Sequence, residues 1–452
     1  MAEKRMDLTR GQPVAGILRF SGPLVLGNLF QQLYSIVDAV IIGQRCGVEA
    51  LAAVSCTSWV CWMVNALCRD SGNTFGIMGS IRAGQRDEGT FRRIVAQALL
   101  YGLLVAAAVT ALSVLALDGI VSVLRIPENI AQAARTYLLI YLLCIPPMLA
   151  FNLASSLLRS IGNSAVTMTA MTASTAANIA LDLLFVVGFG WGVTGAALAT
   201  LLSIMLSAAI ALYACMQSGL FRLGRAQLRP DWALLREAMG LLLPMLFNSA
   251  IIAAGGMVVL SRCNMLGSSF TAGRSAEGKI FSLLEAVIMA LQTGVSVFVG
   301  QNLGAGQIER IIRGLHQSLA VIMGIFLLMA AGVLVFLNPI LNLFLSRQDP
   351  ASYAEAFCVG QQAMRCILAG MIVMTPMYIY RVTIQTLGHA QVAAIAGVGQ
   401  MIIRILTITV GPSLIGIYAY YITDCMAWAI SLPIVSIPCY RVLERLRRGT
   451  KG

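Results

Sequence analysis

The sequence predicts an all-α polytopic membrane protein, with twelve transmembrane helices in two parallel-repeat six-helix lobes around a central cavity. Three observations predict it. Of the 452 residues, 58% are apolar and only 11% charged, with a mean hydropathy of +0.83. A soluble domain sits near half apolar and a quarter charged, so this chain has too little polar side chain to coat a water-soluble body of its length. The apolar runs are long and continuous, as in Leu99–Leu117 and Leu319–Leu337, where barrel strands would be short and alternating; they are helices. The third observation is an internal repeat.

Cutting at charged or Gly/Pro-rich breaks gives expected spans at 16–43, 49–80, 93–117, 133–158, 164–188, 192–215, 237–264, 274–302, 312–337, 354–384, 391–413 and 415–440. A spanning helix takes about 20 residues, and each of these is long enough. The first follows charged residues up to Arg10. Its apolar stretch is far longer than a secretory signal core and lacks a small-residue cleavage site, so it reads as a span. The 11 cysteines are scattered, odd in number and mostly inside apolar runs, which suggests neither a disulfide framework nor a metal site. The polar segment 217–236, with Arg222, Arg225, Arg229, Pro230 and Asp231, reads as a cytoplasmic inter-lobe linker between lobes at 1–216 and 237–452. With both termini placed in the cytoplasm, 21 Lys and Arg fall on the inner side and eight on the outer, including Arg125 and Arg347. The positive-inside rule therefore expects both termini in the cytoplasm of a multi-pass protein of the cell (plasma) membrane. The net charge of +12 is absorbed by this topology and calls for no nucleic acid.

The repeat is carried by short matches. Arg19-Phe-Ser-Gly-Pro23 resembles the run ending at Pro244, Ala83-Gly-Gln recurs at Ala305, Arg159-Ser-Ile-Gly-Asn recurs as Gln385-Thr-Leu-Gly-His, and Gly195 is matched with Gly416. The offsets are 221, 222, 226 and 221 residues. Six spans is an even number, so the second half enters the membrane in the same direction as the first, and a cavity is expected between the lobes.

An ionised group in hydrocarbon is expensive and needs a reason. Asp38, Asp182 and Thr200 lie on three different expected spans, all roughly 8–12 Å inside the outer ends at 1.5 Å per residue. Asn178 precedes Asp182 by four residues and shares its helix face. Two carboxylates, an amide and a hydroxyl can thus meet at one level of the first lobe. Desolvated together, the carboxylates favour a shared proton or a small cation with oxygen ligands, the other reading being simple hydrogen-bond caps that hold the bundle. The repeat places Val259, Arg404 and Ile408 at the positions of Asp38, Asn178 and Asp182, so only the first lobe is expected to bind a coupling ion. Pro23 removes the hydrogen bond to the carbonyl of Arg19 and makes a helix hinge. Glu285, Tyr378, Tyr380, Arg381 and Asp424 are candidates to line the substrate cavity, with Arg404 and Asp424 also candidates for a static pair. Arg69 and Asp70, adjacent in the second span, are each expected to need another partner, a wet cavity or a helix break at Ser71-Gly72. His316 and His389 fall in or near expected cytoplasmic loops as solvated side chains.

Gly27-Asn-Leu-Phe-Gln-Gln-Leu-Tyr-Ser-Ile-Val-Asp38, Ile41-Ile-Gly43 and Leu51-Ala-Ala-Val54 together resemble the first-span signature of the MATE family, the multidrug and toxic compound extrusion transporters of bacterial type. Gly192-Val-Thr-Gly-Ala-Ala-Leu-Ala-Thr200 and Phe298-Val-Gly-Gln-Asn-Leu-Gly-Ala-Gly306 resemble its sixth- and eighth-span motifs. The resemblance implies that Asp38, Asn178, Asp182 and Thr200 form a proton or sodium site. It implies an antiporter that exports small amphipathic or cationic organic compounds, with no cofactor beyond the coupling ion H+ or Na+; the sequence does not fix the oligomeric state, and a monomer is expected. The alternative within the same superfamily is a flippase for lipid-linked oligosaccharides or lipids. Two departures stand out: Cys68-Arg-Asp-Ser-Gly-Asn73 replaces an apolar Gly/Ser stretch, and no acid matches the seventh-span Glu of the branch with a C-terminal-lobe cation site. An enzyme is disfavoured because the loops carry no metal-ligand cluster and no nucleophile and base pair.

Overall fold

The computed structural model of the protein describes residues 6–124, 126–224, 227–345 and 349–449, apart from the side chains of 39, 40, 43, 44, 48 and 51. Lys4, Arg5, Arg125, Arg225, Arg347 and Lys451 of the charge tally lie outside the described residues. The first half runs α1 (Pro13–Arg45), α2 (Gly47–Gln85), α3 (Glu88–Leu115), α4 (Leu117–Val123), α5 (Glu128–Leu142), α6 (Ile145–Ser160), α7 (Ala165–Asp182) and α8 (Gly192–Gln217). The second runs α9 (Trp232–Asn264), α10 (Ser268–Gly304), α11 (Ile308–Val335), α12 (Leu337–Phe344), α13 (Pro350–Thr386), α14 (Ala390–Thr409), α15 (Gly411–Ile415) and α16 (Tyr418–Gly449). The chain forms two compact units: residues 6–9 with Arg19–Leu242, and Arg10–Leu18 with residues 243–449.

Eleven helices among the described residues are long and apolar enough to cross a bilayer, with α5 and α6 counted together. The second expected span, α2, is a continuous 39-residue helix that does not meet that measure. Glu49, Arg69, Asp70 and Arg82 lie along it. No break occurs at Ser71-Gly72. Glycine is there for close approach instead: a β-carbon on Gly72 would sit 2.6 Å from the Asn152 carbonyl oxygen, and Gly76 and Gly79 meet Ser156 and Ser160 of α6 at 3.0 and 2.8 Å. Small residues every third or fourth position let two helix backbones touch, the packing device of membrane bundles.

Prolines divide other expected spans. Pro146 and Pro147 supply no N–H to the turn before them, so 133–158 is two helices, with Cys144 N–H donating to the Tyr141 carbonyl at 3.0 Å. Pro412 likewise ends 391–413 as α14 and the short α15. After Asp182 the backbone of the fifth span widens into a π-helix over Leu183–Gly188. At the polar ends, Asp87 caps α3 by accepting from Thr90 N–H at 2.9 Å, and its bonds to Thr90 hold its carboxyl below the usual range.

The turns repeat as the helices do. Left-handed residues fall at Gly47 and Gly267, Arg86 and Gly306, Gly162 and Gly388, and Gly190 and Gly416. The expected match of Gly195 to Gly416 is therefore corrected: Gly195 lies inside α8, packed within 3.1 Å of Phe185 and Trp191, and the turn residue equivalent to Gly416 is Gly190. The two halves differ in length earlier, between the second and third of these turns, where the second half is six residues longer, 82 residues from Gly306 to Gly388 against 76 from Arg86 to Gly162.

Arg86, at φ 57°, is the one left-handed residue among the described residues that is not glycine. An L side chain there crowds the following carbonyl at a cost of roughly 1–2 kcal/mol, partly offset by the extra freedom glycine has in the unfolded chain. Arg86→Gly is expected to stabilise the protein by about 1 kcal/mol, read as a higher thermal midpoint in detergent. An unchanged or lower midpoint would show that the turn carries no such strain.

Candidate functional site

In the first unit, α1 carries Asp38 and α7 carries Asn178 and Asp182 on successive turns of one face, while α8 carries Thr200. Asn178 and Asp182 are 1% and 0% exposed, Thr200 is 7% exposed, and Asp38 is partly buried. A β-carbon on Gly27 would touch Met171 Sδ at 3.1 Å, so α1 and α7 run close together about three turns before the acids. The carboxyl groups of Asp38 and Asp182 lie within hydrogen-bond reach of each other. Yet Asp38 Oδ1, both Asp182 oxygens and both side-chain polar atoms of Asn178 have no hydrogen-bond partner. Carboxylate oxygens only accept when ionised. Two buried acceptors that face each other without a donor between them require one shared proton or one cation.

Thr200 donates to the Ala196 carbonyl at 3.0 Å, which leaves its oxygen free to accept. Tyr34, one turn before Asp38 on α1, reaches that oxygen with its hydroxyl and lies close enough to both acids for their charges to act on it. Tyr137 of α5 is within electrostatic range of Tyr34 and Asp38, and stacks on Tyr141 with centroids 6.1 Å apart. The Asn65 amide of α2 donates in turn to the Tyr141 hydroxyl. Sequence reasoning missed Tyr34, Tyr137, Tyr141 and Asn65. The four-residue spacing of Tyr34 and Asp38 was the available signal; the tyrosines of α5 become visible only once that helix is packed.

The second unit lacks this arrangement. Val259 and Ile408, at the repeat positions of the two acids, pack in an apolar cluster with Cys263, Phe270, Val359, Ala363 and Tyr421. Arg404 instead holds Asp424, its Nε and Nη2 donating to Oδ1 at 2.9 and 2.8 Å. Tyr378 donates to Glu285 at 2.7 Å, and the Arg381 guanidinium lies 5.5 Å from the Tyr378 ring centroid. Tyr380 does not join them: its hydroxyl meets Tyr440 at 2.5 Å, and Tyr440 meets His316 Nε2 at 3.2 Å. His316 is exposed but bonded, its Nδ1 lying 2.9 Å from the Ile312 carbonyl oxygen. His389 sits at the N-cap of α14, where its N–H donates to the Ile384 carbonyl.

Arg69 and Asp70 approach each other, and Arg69 also has a partner beyond its neighbour, as expected. Arg69 Nε reaches Asp70 Oδ1 at 3.6 Å and its guanidinium lies 5.9 Å from the Trp62 ring centroid. Neighbouring residues point about 100° apart on a helix, but the long arginine stem folds back over the surface. Pro23 sits within α1, which continues through it as one helix of 33 residues.

Two rounds of long apolar helices, with buried ionisable side chains among them, define a multi-pass membrane protein. The chain belongs to the MatE family, whose pattern matches residues 23–184 and 244–410, one stretch in each half. It is 27% identical over 358 residues to the probable multidrug resistance protein YpnP of Bacillus subtilis (strain 168), covering 78% of this chain and 79% of that one. It is 23% identical over 458 residues to the multidrug export protein MepA of Staphylococcus aureus (strain NCTC 8325 / PS 47), covering 100% and 99%. Its fold matches a crystal structure of a MATE in complex with MaL6, with a TM-score of 0.91 at 19% identity, covering 99% of this chain and 100% of that chain.

Proposed function

We propose that the protein is a secondary active antiporter that exports small amphipathic, cationic organic compounds in exchange for protons or sodium ions, with Asp38, Asp182, Asn178 and Thr200 as its ion-coupling site. Lobes at 1–216 and 237–452, joined by the cytoplasmic connection 217–236, alternate the access of the cargo to the two sides of the cell membrane. The distribution of basic residues supports a cytoplasmic location for both termini. The observation that carries this reading is the pair of buried carboxyl groups facing each other without a donor. Such a pair binds one monovalent cation and releases it when its surroundings change, which is what coupling to a gradient needs. The drug-resistance names of the relatives YpnP and MepA favour export of toxic organic compounds over other cargo.

The test is efflux of a fluorescent organic cation from proteoliposomes under separately imposed proton and sodium gradients. One of the two gradients is expected to drive export. If neither does, the coupling assignment fails.

The hinge has its own test. Pro23→Ala restores an amide donor to the Arg19 carbonyl, a hydrogen bond worth about 1 kcal/mol, or roughly fivefold in favour of a straight helix. Export is expected to slow by about that factor while ion binding at Asp38 persists. Spin-label distances between α1 and α7 at low and high pH report the bend directly; a distance that does not move with pH in the wild type would sink the mechanism.

A further inference from the structure

Arg381 is a buried charge with no counter-ion among the described residues. It is 8% exposed, near one end of α13. Its Nε and Nη2 make no hydrogen bond, and no carboxylate lies within ion-pair distance of it among the described residues. Its contact is the face of the Tyr378 ring, three residues earlier on the same helix. The nearby acids have other donors: Glu285 accepts from Tyr378 and Asp424 from Arg404.

Other unsatisfied donors sit in the same lobe. Arg404, whose charge acts on Arg381, keeps Nη1 unpartnered beside Gly255 of α9, and a β-carbon on that glycine would come within 3.6 Å of it. Gln400, one turn before Arg404 on α14 and 2% exposed, leaves its amide Nε2 without an acceptor. The scaffold does not demand a charge at Arg381, because the repeat position in the first half is Ser155. A buried guanidinium left alone is costly, and arginine forks match the geometry of carboxylate and phosphate oxygens. The unpartnered groups are donors, so the missing partner is an acceptor bearing negative charge.

We propose that the C-terminal lobe holds an oxyanion-binding site centred on Arg381, with Gln400 and Arg404 Nη1 as accessory donors, which takes the carboxylate or phosphate end of an amphiphile that the protein transports. This rests on the transport reading above and extends its substrate class from cations to zwitterionic and acidic compounds. The acids of the first lobe handle the coupling cation, while the second lobe holds a fixed positive charge for the cargo.

The test is equilibrium binding to the full-length protein in detergent without any gradient, so that its outcome is separate from that of the coupled-efflux experiment. The probes are dansyl-labelled undecanoate and its carboxamide, which differ only in the charged end. The wild type is expected to bind the acid about tenfold more tightly than the amide, the worth of one charge-assisted hydrogen-bonded contact. Arg381→Gln is expected to bind both equally, and Arg381→Lys to keep part of the preference. Equal binding of acid and amide by the wild type would overturn the site, and needs no variant to fold. An undiminished preference in Arg381→Gln would overturn the role of Arg381. A parallel arm adds phosphatidylglycerol: displacement of the acid by the lipid at trace levels, with lipid retained on the purified wild type and lost in Arg381→Gln, would assign the site to a membrane lipid and overturn its role in cargo binding.

Discussion

Asp38→Asn is expected to reduce gradient-driven export to the level of protein-free vesicles while the protein remains folded and inserted. The substitution keeps the shape of the side chain and supplies an amide donor where the native pair has none, so Asp182 can be satisfied permanently without a proton or a cation. The variant is trapped in the equivalent of the ion-loaded state. Binding of cargo in the absence of a gradient is expected to survive, and Asp182→Asn should behave in the same way. Full-rate export by either variant against a gradient would make that acid structural.

The second large effect concerns stability. Asp424→Ala removes the acceptor from Arg404, whose side chain is 9% exposed, and leaves its charge buried without a counter-ion. Breaking one side of such a pair costs about 3 kcal/mol, whereas replacing both sides by apolar residues is often neutral. The single variant is thus expected to show a clearly lower thermal midpoint in detergent, and the double change Arg404→Met with Asp424→Leu to recover most of it. Ion dependence of export should be unaffected in both. A single variant as stable as the wild type would mean that the pair contributes nothing to the fold.

The membrane class, the span order and the repeat were legible because each rests on composition or on spacing along one helix. Asp38, Asp182, Asn178 and Thr200 were legible for the same reason: an acid in an apolar run stands out, and depth along a helix can be counted. What escaped the sequence depends on neighbours from other helices. Tyr34 joins Thr200 only because α1 packs beside α8, and Tyr380 turns to Tyr440 because α13 packs against α16. The division of 133–158 at Pro146-Pro147 and the π-helix after Asp182 are backbone adjustments that hydrophobic periodicity does not encode. The approach of Arg69 to Asp70 escaped because helix geometry places the Cβ atoms and not the end of a long side chain.

Four positive-φ turn residues of the first half, Gly47, Arg86, Gly162 and Gly190, have counterparts in the second at Gly267, Gly306, Gly388 and Gly416. The side chains of the two copies have diverged into opposite trades, with acids at Asp38 and Asp182 against aliphatic residues at Val259 and Ile408. The turning points have stayed in step, which makes them the joints at which the copies remain interchangeable parts. A chimaera that grafts a segment of one half onto the other should be spliced at these turns. Numbering between the copies shifts by 220 residues at the first two and by 226 at the last two, so the six-residue difference lies between the second and third turns, and a junction placed there without allowing for it would rotate the side chains beyond it off their face.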